Sequence, residues 1–229
     1  MRSAAPVMRD FADAQAQAQA LAGEVATQLQ SAIAVRGNAW LAVPGGNTPQ
    51  AFLAALARQD LDWPRVSVTL TDERQVPVDD ARSNARRLRD ALLDRVPARF
   101  LPLVDAHGTM IDAVTVQALP RRFDAVVLGM GADGHCASLF ADADAVEAAL
   151  DPAARDAVLR LRSPGVPESR VTLTLRALVA TRALYVLIQD AEKRRVLERA
   201  LHADAGGNSL PIGRVLASAT VVPQIFWCP

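Results

Sequence analysis

The chain has 229 residues, 51% of them hydrophobic and 22% charged, with 25 Lys plus Arg balanced by 25 Asp plus Glu. That length and balance suit a single folded, soluble domain over residues 1–229 and leave no net field to gather nucleic acid or an anionic membrane. Two distant cysteines, Cys136 and Cys228, give neither a disulfide framework nor a thiolate metal site, and no run is apolar enough for a signal peptide or a membrane span.

In chain order, residues 9–36 place Phe11, Leu21, Val25, Leu29 and Ile33 at mostly four-residue steps, which predicts a long amphipathic helix ended by Gly37 and Asn38. Its AQAQAQA segment, Ala14 to Ala20, alternates like a strand, but Ala and Gln are good helix formers. Ala39 to Val43 then reads as a short strand entering Pro44-Gly45-Gly46-Asn47-Thr48-Pro49, with Thr48 as N-cap and Pro49 as first residue of a helix over Gln50 to Arg58. A strand, a glycine turn and a helix start make an anion cradle, although an isolated Pro-Gly-Gly is equally often a plain turn.

Val66 to Thr71 alternates as a strand and opens onto Asp72-Glu73-Arg74, which is either solvated loop or site. Ser83-Asn84 lead a helix carrying Leu88, Leu92 and Val96, Phe100 to Val104 reads as another strand, and residues 105–122 as connection with a short helix. His107, between Asp105 and Gly108, reads as a surface-loop histidine.

The stretch Asp124 to Asp142, DAVVLGMGADGHCASLFAD, organises the rest. An apolar strand, Ala125 to Leu128, ends in a turn spaced by Gly129, Gly131 and Gly134 that holds Asp133 and His135, and Ala137 to Phe140 read as a helix start. Open α/β sheets bind ligands just beyond such strand ends. Beyond lie a helix over 143–150, a strand near Ala157 to Leu161, the turn Ser163-Pro164-Gly165, Arg170 before Val171 to Leu175, and a strand over Leu184 to Ile188. Lys193 enters a late helix ending near His202, and Val221 to Trp227 form a last strand. Strands alternating with helices predict an α/β fold, a doubly wound and mostly parallel sheet flanked by helices.

The three glycines spell G-x-G-x-x-G, but the region about twenty residues on, AVEAALDPAARDA, offers no acidic residue ending a second strand, which disfavours a nicotinamide cofactor. No G-x-S-x-G, Walker loop, H-E-x-x-H or C-x-x-C is present, and the three histidines show no metal-ligand spacing. What remains is a histidine in a glycine loop, cations at strand ends and two glycine-built cradles, which suits general acid/base chemistry on a small phosphorylated substrate.

PGGNTP after the first strand, TDERQVP followed by RSN, LGMGADGHCASLF, RVTLTL and the EK of the late helix together resemble the 6-phosphogluconolactonase family from about Ala39 to the C-terminus. Glucosamine-6-phosphate deaminase is a relative that shares the glycine loop. Arg74 after Asp-Glu, and Ala137-Ser138-Leu139-Phe140 after the histidine, favour the lactonase. The resemblance implies hydrolysis of 6-phospho-D-glucono-1,5-lactone without a cofactor or metal; the cysteine usage and the absence of a signal point to the cytoplasm, and the sequence leaves the oligomeric state open between monomer and weak dimer. The resemblance also implies His135 as general base with Asp133 holding it, and substrate or phosphate contacts at Gly45, Gly46, Asn47, Thr48, Asp72, Arg74, Gly131, Arg170 and Lys193. Pro44, Asn47 and the pair Gln189-Asp190 depart from the family pattern, which usually has serines in the first loop and a glycine before the late helix. A deaminase or a non-catalytic sugar-phosphate sensor are the competing readings.

Overall fold

Arg9 and Asp10, read from sequence as the start of the first helix, belong instead to an edge strand. The structure, a computed structural model, describes residues 5–202 and 210–229, so residues 1–4 of the stretch read for a signal peptide lie outside it. Strand β1 (Val7–Asp10) pairs in parallel with the C-terminal strand, Val7 opposite Gln224 through Asp10 opposite Trp227. Helix α1 (Ala14–Arg36) begins only after Asp13, whose carboxylate accepts the Ala16 N–H at 2.8 Å, and ends at Gly37, φ 79°, whose N–H reaches the Ile33 carbonyl. A pairing partner more than 200 residues away along the chain decides this boundary, and local periodicity does not contain it.

Strand β2 (Ala39–Val43) leads through the Pro44–Thr48 loop to helix α2 (Gln50–Leu56), and β3 (Val66–Leu70) follows. Pro49 is the cap residue of α2 and no side chain caps it, so Thr48 is not the N-cap that the sequence suggested. Next come β4 (Asp72–Arg74), α3 (Asn84–Leu88) continuing as a wider π turn over Arg89–Leu93, β5 (Arg99–Leu101), α4 (Ala113–Val116) and β6 (Ala125–Gly129). The second half contains α5 (Val146–Ala149), β7 (Val158–Leu161), β8 (Arg170–Leu173), α6 (Leu175–Val179), β9 (Leu184–Gln189), α7 (Ala191–His202), α8 (Pro211–Ala217) and β10 (Gln224–Cys228).

Among the described residues the main sheet is parallel throughout, in the order β1-β10-β9-β6-β2-β3-β5, and helices flank it. A second sheet, β4-β8-β7, is antiparallel, and strand alternation had not announced it. Asp72–Arg74, read as either solvated loop or site, is its edge strand, with Arg74 paired in register to Arg170. The chain winds outward from β2 to β3 and β5 on one side, and from β6 to β9 and β10 on the other. The neighbours β2 and β6 are therefore the switch point, where two loops diverge and leave a crevice at the strands' carboxyl ends.

The core runs continuously from α1 (Leu21, Val25, Leu29) through the sheet (Leu41, Val68, Val126, Val186) to α7 and α8 (Leu197, Ile212, Val215). Gln17, within the apparent low-complexity run, is fully buried there. Its amide donates to the Ile188 and Phe226 carbonyls at 2.8 and 2.9 Å, tying α1 to β9 and β10. No described helix is long and apolar enough to cross a membrane.

Candidate active site

The loops that leave β3, β2, β6 and β9 at their carboxyl ends converge on one pocket. It is lined by Gly45, Gly46, Asn47 and Thr48 from the first loop, by Asp72 and Arg74 from the edge of the second sheet and by Asn84 from the start of α3. Gly131, His135 and Ala137 come from the glycine loop, and Lys193 from α7. Of the residues singled out from sequence, Asp133 and Arg170 stand outside this lining. Asp133 contacts His135, and Arg170 lies one strand behind Arg74.

The glycine loop shapes the titratable pair. Gly134 adopts φ 81° and its N–H closes a turn on the Gly131 carbonyl at 3.0 Å, while the Gly131 N–H returns to the His135 carbonyl at 2.9 Å. Within this turn the Asp133 carboxylate accepts the His135 N–H at 3.2 Å and contacts ring Nδ1 at 2.5 Å. Nδ1 is thereby engaged, and among the described residues no group bonds Nε2, the ring nitrogen left for chemistry. Phe140 tilts against the imidazole, centroids 4.2 Å apart, and holds its other face. Gly131 has no room for a side chain, because a Cβ there would stand 2.2 Å from His135 Cε1.

The expected helix start at Ala137 to Phe140 is absent. Ala137 sits at φ 49°, in the left-handed region that a right-handed helix cannot use, and Cys136 bridges Leu139 instead. The cause lies in the second sheet. The Ser138 N–H donates to Thr172 Oγ1 at 3.3 Å and its hydroxyl to Asp72 Oδ2 at 2.6 Å, drawing the segment onto β4 and β8. The dinucleotide reading of the glycines loses its helix N-terminus as well. The helix read over 143–150 shrinks to the single turn of α5.

In the first loop, no oxygen among the described residues accepts from the N–H groups of Gly45, Gly46, Asn47 or Thr48. Successive free amides of this kind form a concavity suited to an anion. Asn47, one of the departures from the family pattern, is held from outside by Arg87, whose Nη1 donates to its Oδ1 at 2.7 Å. Its neighbour Arg86 braces an adjoining loop by donating to the Asp79 carbonyl at 2.6 Å. Arg74 donates to the Arg82 carbonyl, and Lys193 Nζ lies 3.9 Å from Asp190. Asp190, in the pair before the late helix that departs from the family pattern, takes φ 70° and accepts the Lys193 N–H at 2.8 Å. Asp tolerates that conformation better than most residues.

Sequence reasoning missed what holds the frame. Glu73 is fully buried and accepts the N–H groups of Arg74, Asn84 and Ala85 at 2.7, 2.8 and 2.6 Å, with the Ser83 hydroxyl at 3.2 Å. Burial pushes its carboxyl above the ordinary range, opposed by those backbone donors and reinforced by Asp72. A carboxylate fixed by three amides welds β4 to the start of α3. Burial, then the Arg74 charge, lowers the Arg170 guanidinium, while Asp72, Glu168 and Glu73 oppose it. Cys136 is wholly buried and its thiol is pushed well up, first by burial and then by Asp72. Among the described residues no group of three or more His, Cys, Asp or Glu side chains is placed to share a metal ion.

With this geometry in view, the chain was compared with known proteins. A family model described as glucosamine-6-phosphate isomerases/6-phosphogluconolactonase matches residues 12–227. The chain is 41% identical over 231 residues to a 6-phosphogluconolactonase of Rhizobium meliloti (strain 1021), covering 97% of this chain and 98% of that one. It is 38% identical over 229 residues to one of Neisseria meningitidis serogroup B, covering 96% and 98%. The crystal structure of a 6-phosphogluconolactonase from Shewanella baltica OS155 superposes with a TM-score of 0.91 at 34% identity, over 100% of both chains.

Proposed function

The chain belongs to the glucosamine-6-phosphate isomerase/6-phosphogluconolactonase family, and from that membership we propose the reaction and the residue roles that follow. The protein hydrolyses 6-phospho-D-glucono-1,5-lactone to 6-phospho-D-gluconate, a step of the oxidative pentose phosphate pathway. The observation that carries the reading is His135, bonded to Asp133 behind it, in one pocket with the free amides of Gly45 to Thr48.

His135 Nε2 takes a proton from water, and the hydroxide attacks the lactone C1. As the bond between C1 and the ring oxygen breaks, the imidazolium returns that proton to the departing oxygen, and the new carboxylic acid ionises into solvent. Asp133 keeps the ring oriented through Nδ1. The free loop amides with Arg74 and Lys193 hold the 6-phosphate, a dianion that suits backbone donors and guanidinium alike. Asp72, fixed by Ser138, accepts from sugar hydroxyls, Gly131 gives the imidazole its room, and Arg170 supports Arg74 from the adjoining strand. The chemistry calls on no cofactor or metal. The protein acts in the cytoplasm as one domain over residues 1–229, and as a monomer or weak dimer.

The test offers purified protein fresh 6-phosphogluconolactone under pH-stat and glucosamine 6-phosphate under an ammonia assay. Acid release above the spontaneous rate is expected with the first. Ammonia release from the second without lactone turnover would replace this reading by the deaminase one.

A further inference from the structure

A helix running on from His135 would hold it apart from Phe140. Five residues of α-helix turn through about 500°, which leaves the two side chains about 140° apart around the axis. In the structure they touch instead, the phenyl ring 4.2 Å from the imidazole, centroid to centroid, with 35° between their planes. Such a close, tilted contact is among the arrangements that aromatic pairs favour.

Several interactions keep the chain folded back in this way. Ala137 takes φ 49°, a left-handed conformation that residues with a Cβ rarely adopt. The Leu139 N–H closes on the Cys136 carbonyl at 3.0 Å and the Ala143 N–H on the Phe140 carbonyl at 3.1 Å, while Ser138 is moored to Thr172 and Asp72. Phe140 itself packs half-buried against the core, so its ring has a firm backing. Backbone strain that persists beside a reacting group points to a functional constraint.

The Asp133 contact leaves part of the geometry of His135 open. It holds a single ring atom, Nδ1, through a carboxylate that is mostly exposed, and the imidazole can still turn about that point. A flat ring laid against the imidazole face removes this freedom.

We infer that Phe140 is a positioning residue for the reaction: its ring fixes the plane of the His135 imidazole, and with it the direction of Nε2, and the left-handed turn at Ala137 serves to bring it there. The inference rests on the lactone reading above, in which His135 is the base. Asp133 sets one atom of the base and Phe140 sets its plane.

The experiment compares wild type with Phe140→Leu and Phe140→Tyr, by pH-stat kinetics on 6-phosphogluconolactone, melting temperature and proton NMR of the histidine rings. The chain has three histidines, and the His135 signals are identified by their loss in His135→Asn. In wild type the phenyl ring current should move the His135 ring-carbon protons upfield, and Phe140→Leu should return them; unmoved signals overturn the contact whatever the protein turns over. No lactone turnover by wild type would strike the reading of the reaction, and the NMR comparison would still decide the contact. With turnover present, Phe140→Leu is expected to lose about tenfold in kcat with KM within about twofold of wild type, and Phe140→Tyr to keep wild-type kcat. An unchanged kcat in Phe140→Leu, an equal loss in both variants, or a change confined to KM would overturn the inference. Should Phe140→Leu not fold, Phe140→Met takes its place, and wild-type His135 signals at their random-coil positions would overturn the inference without any Phe140 variant.

Discussion

Replacing Gly131 by Ala isolates the geometry of the catalytic pair from its chemistry. The new Cβ would lie 2.2 Å from His135 Cε1, 2.3 Å from Nδ1 and 2.5 Å from Asp133 Oδ1, where ordinary contact begins at 3.4 Å. Ring and carboxylate must retreat by more than about 1 Å, and a displacement of that size at a reacting group costs on the order of 10²-fold in turnover. Stability should change little, because Gly131 has no positive φ and the atoms it meets belong to side chains that are 28% and 59% exposed and free to swing outward. The assay is pH-stat kcat on the lactone beside a melting curve. Turnover within threefold of wild type would refute the placement of His135, and a large fall in melting temperature would mean that the loop rather than the pair had been broken.

Arg74→Ala should raise KM with little change in kcat, by an amount equivalent to about 1.5–3 kcal/mol for a charge-assisted bond to phosphate; an unchanged KM removes Arg74 from the phosphate. Glu73→Gln keeps its oxygen on the Arg74 and Asn84 N–H groups and turns its NH₂ toward the Ala85 N–H, leaving that donor unpaired at a cost of roughly 2 kcal/mol, or roughly 4–8 °C in melting temperature for a chain of this size. A calorimetric Tm within 2 °C of wild type would contradict that weld. The Cys136 thiol keeps its proton when folded after an unfolded thiol, ordinarily near 9.0, has lost it. The folded state then binds more protons, so stability is constant below that pH and falls above it at about 1.4 kcal/mol per unit. Urea titrations from about pH 8 to pH 10 should show a steeper decline for wild type than for Cys136→Ala, and parallel slopes would reject the buried thiol.

What could be read from the sequence was what local chemistry decides. The glycine loop with its Asp and His, the Pro-Gly-Gly turn and the alternating strands and helices each have a short-range cause, and they place the loops at the carboxyl ends of the sheet's strands. What escaped depended on distant partners. Strand β1 exists because β10 pairs with it, and the helix start after His135 is undone because Ser138 bonds Asp72, 66 positions earlier. The second sheet hid in segments of three or four residues, Asp72–Arg74 and Arg170–Leu173, too short for a period to declare itself. Asn84 and Glu73 stood inside the very motifs that carried the resemblance, yet their burial is a tertiary fact, and a charged residue beside Asp and Arg reads as solvated until the chain closes over it.

The most direct measurement is acid release from freshly prepared 6-phosphogluconolactone, corrected for spontaneous hydrolysis, with wild type and with a folded His135→Asn protein. Wild type should accelerate the reaction far above background, and the variant should lose on the order of 10²- to 10⁴-fold in kcat, the usual contribution of a general base. A His135→Asn protein that turns over at the wild-type rate would show that water is activated elsewhere, and would contradict the assignment of the pair at its foundation.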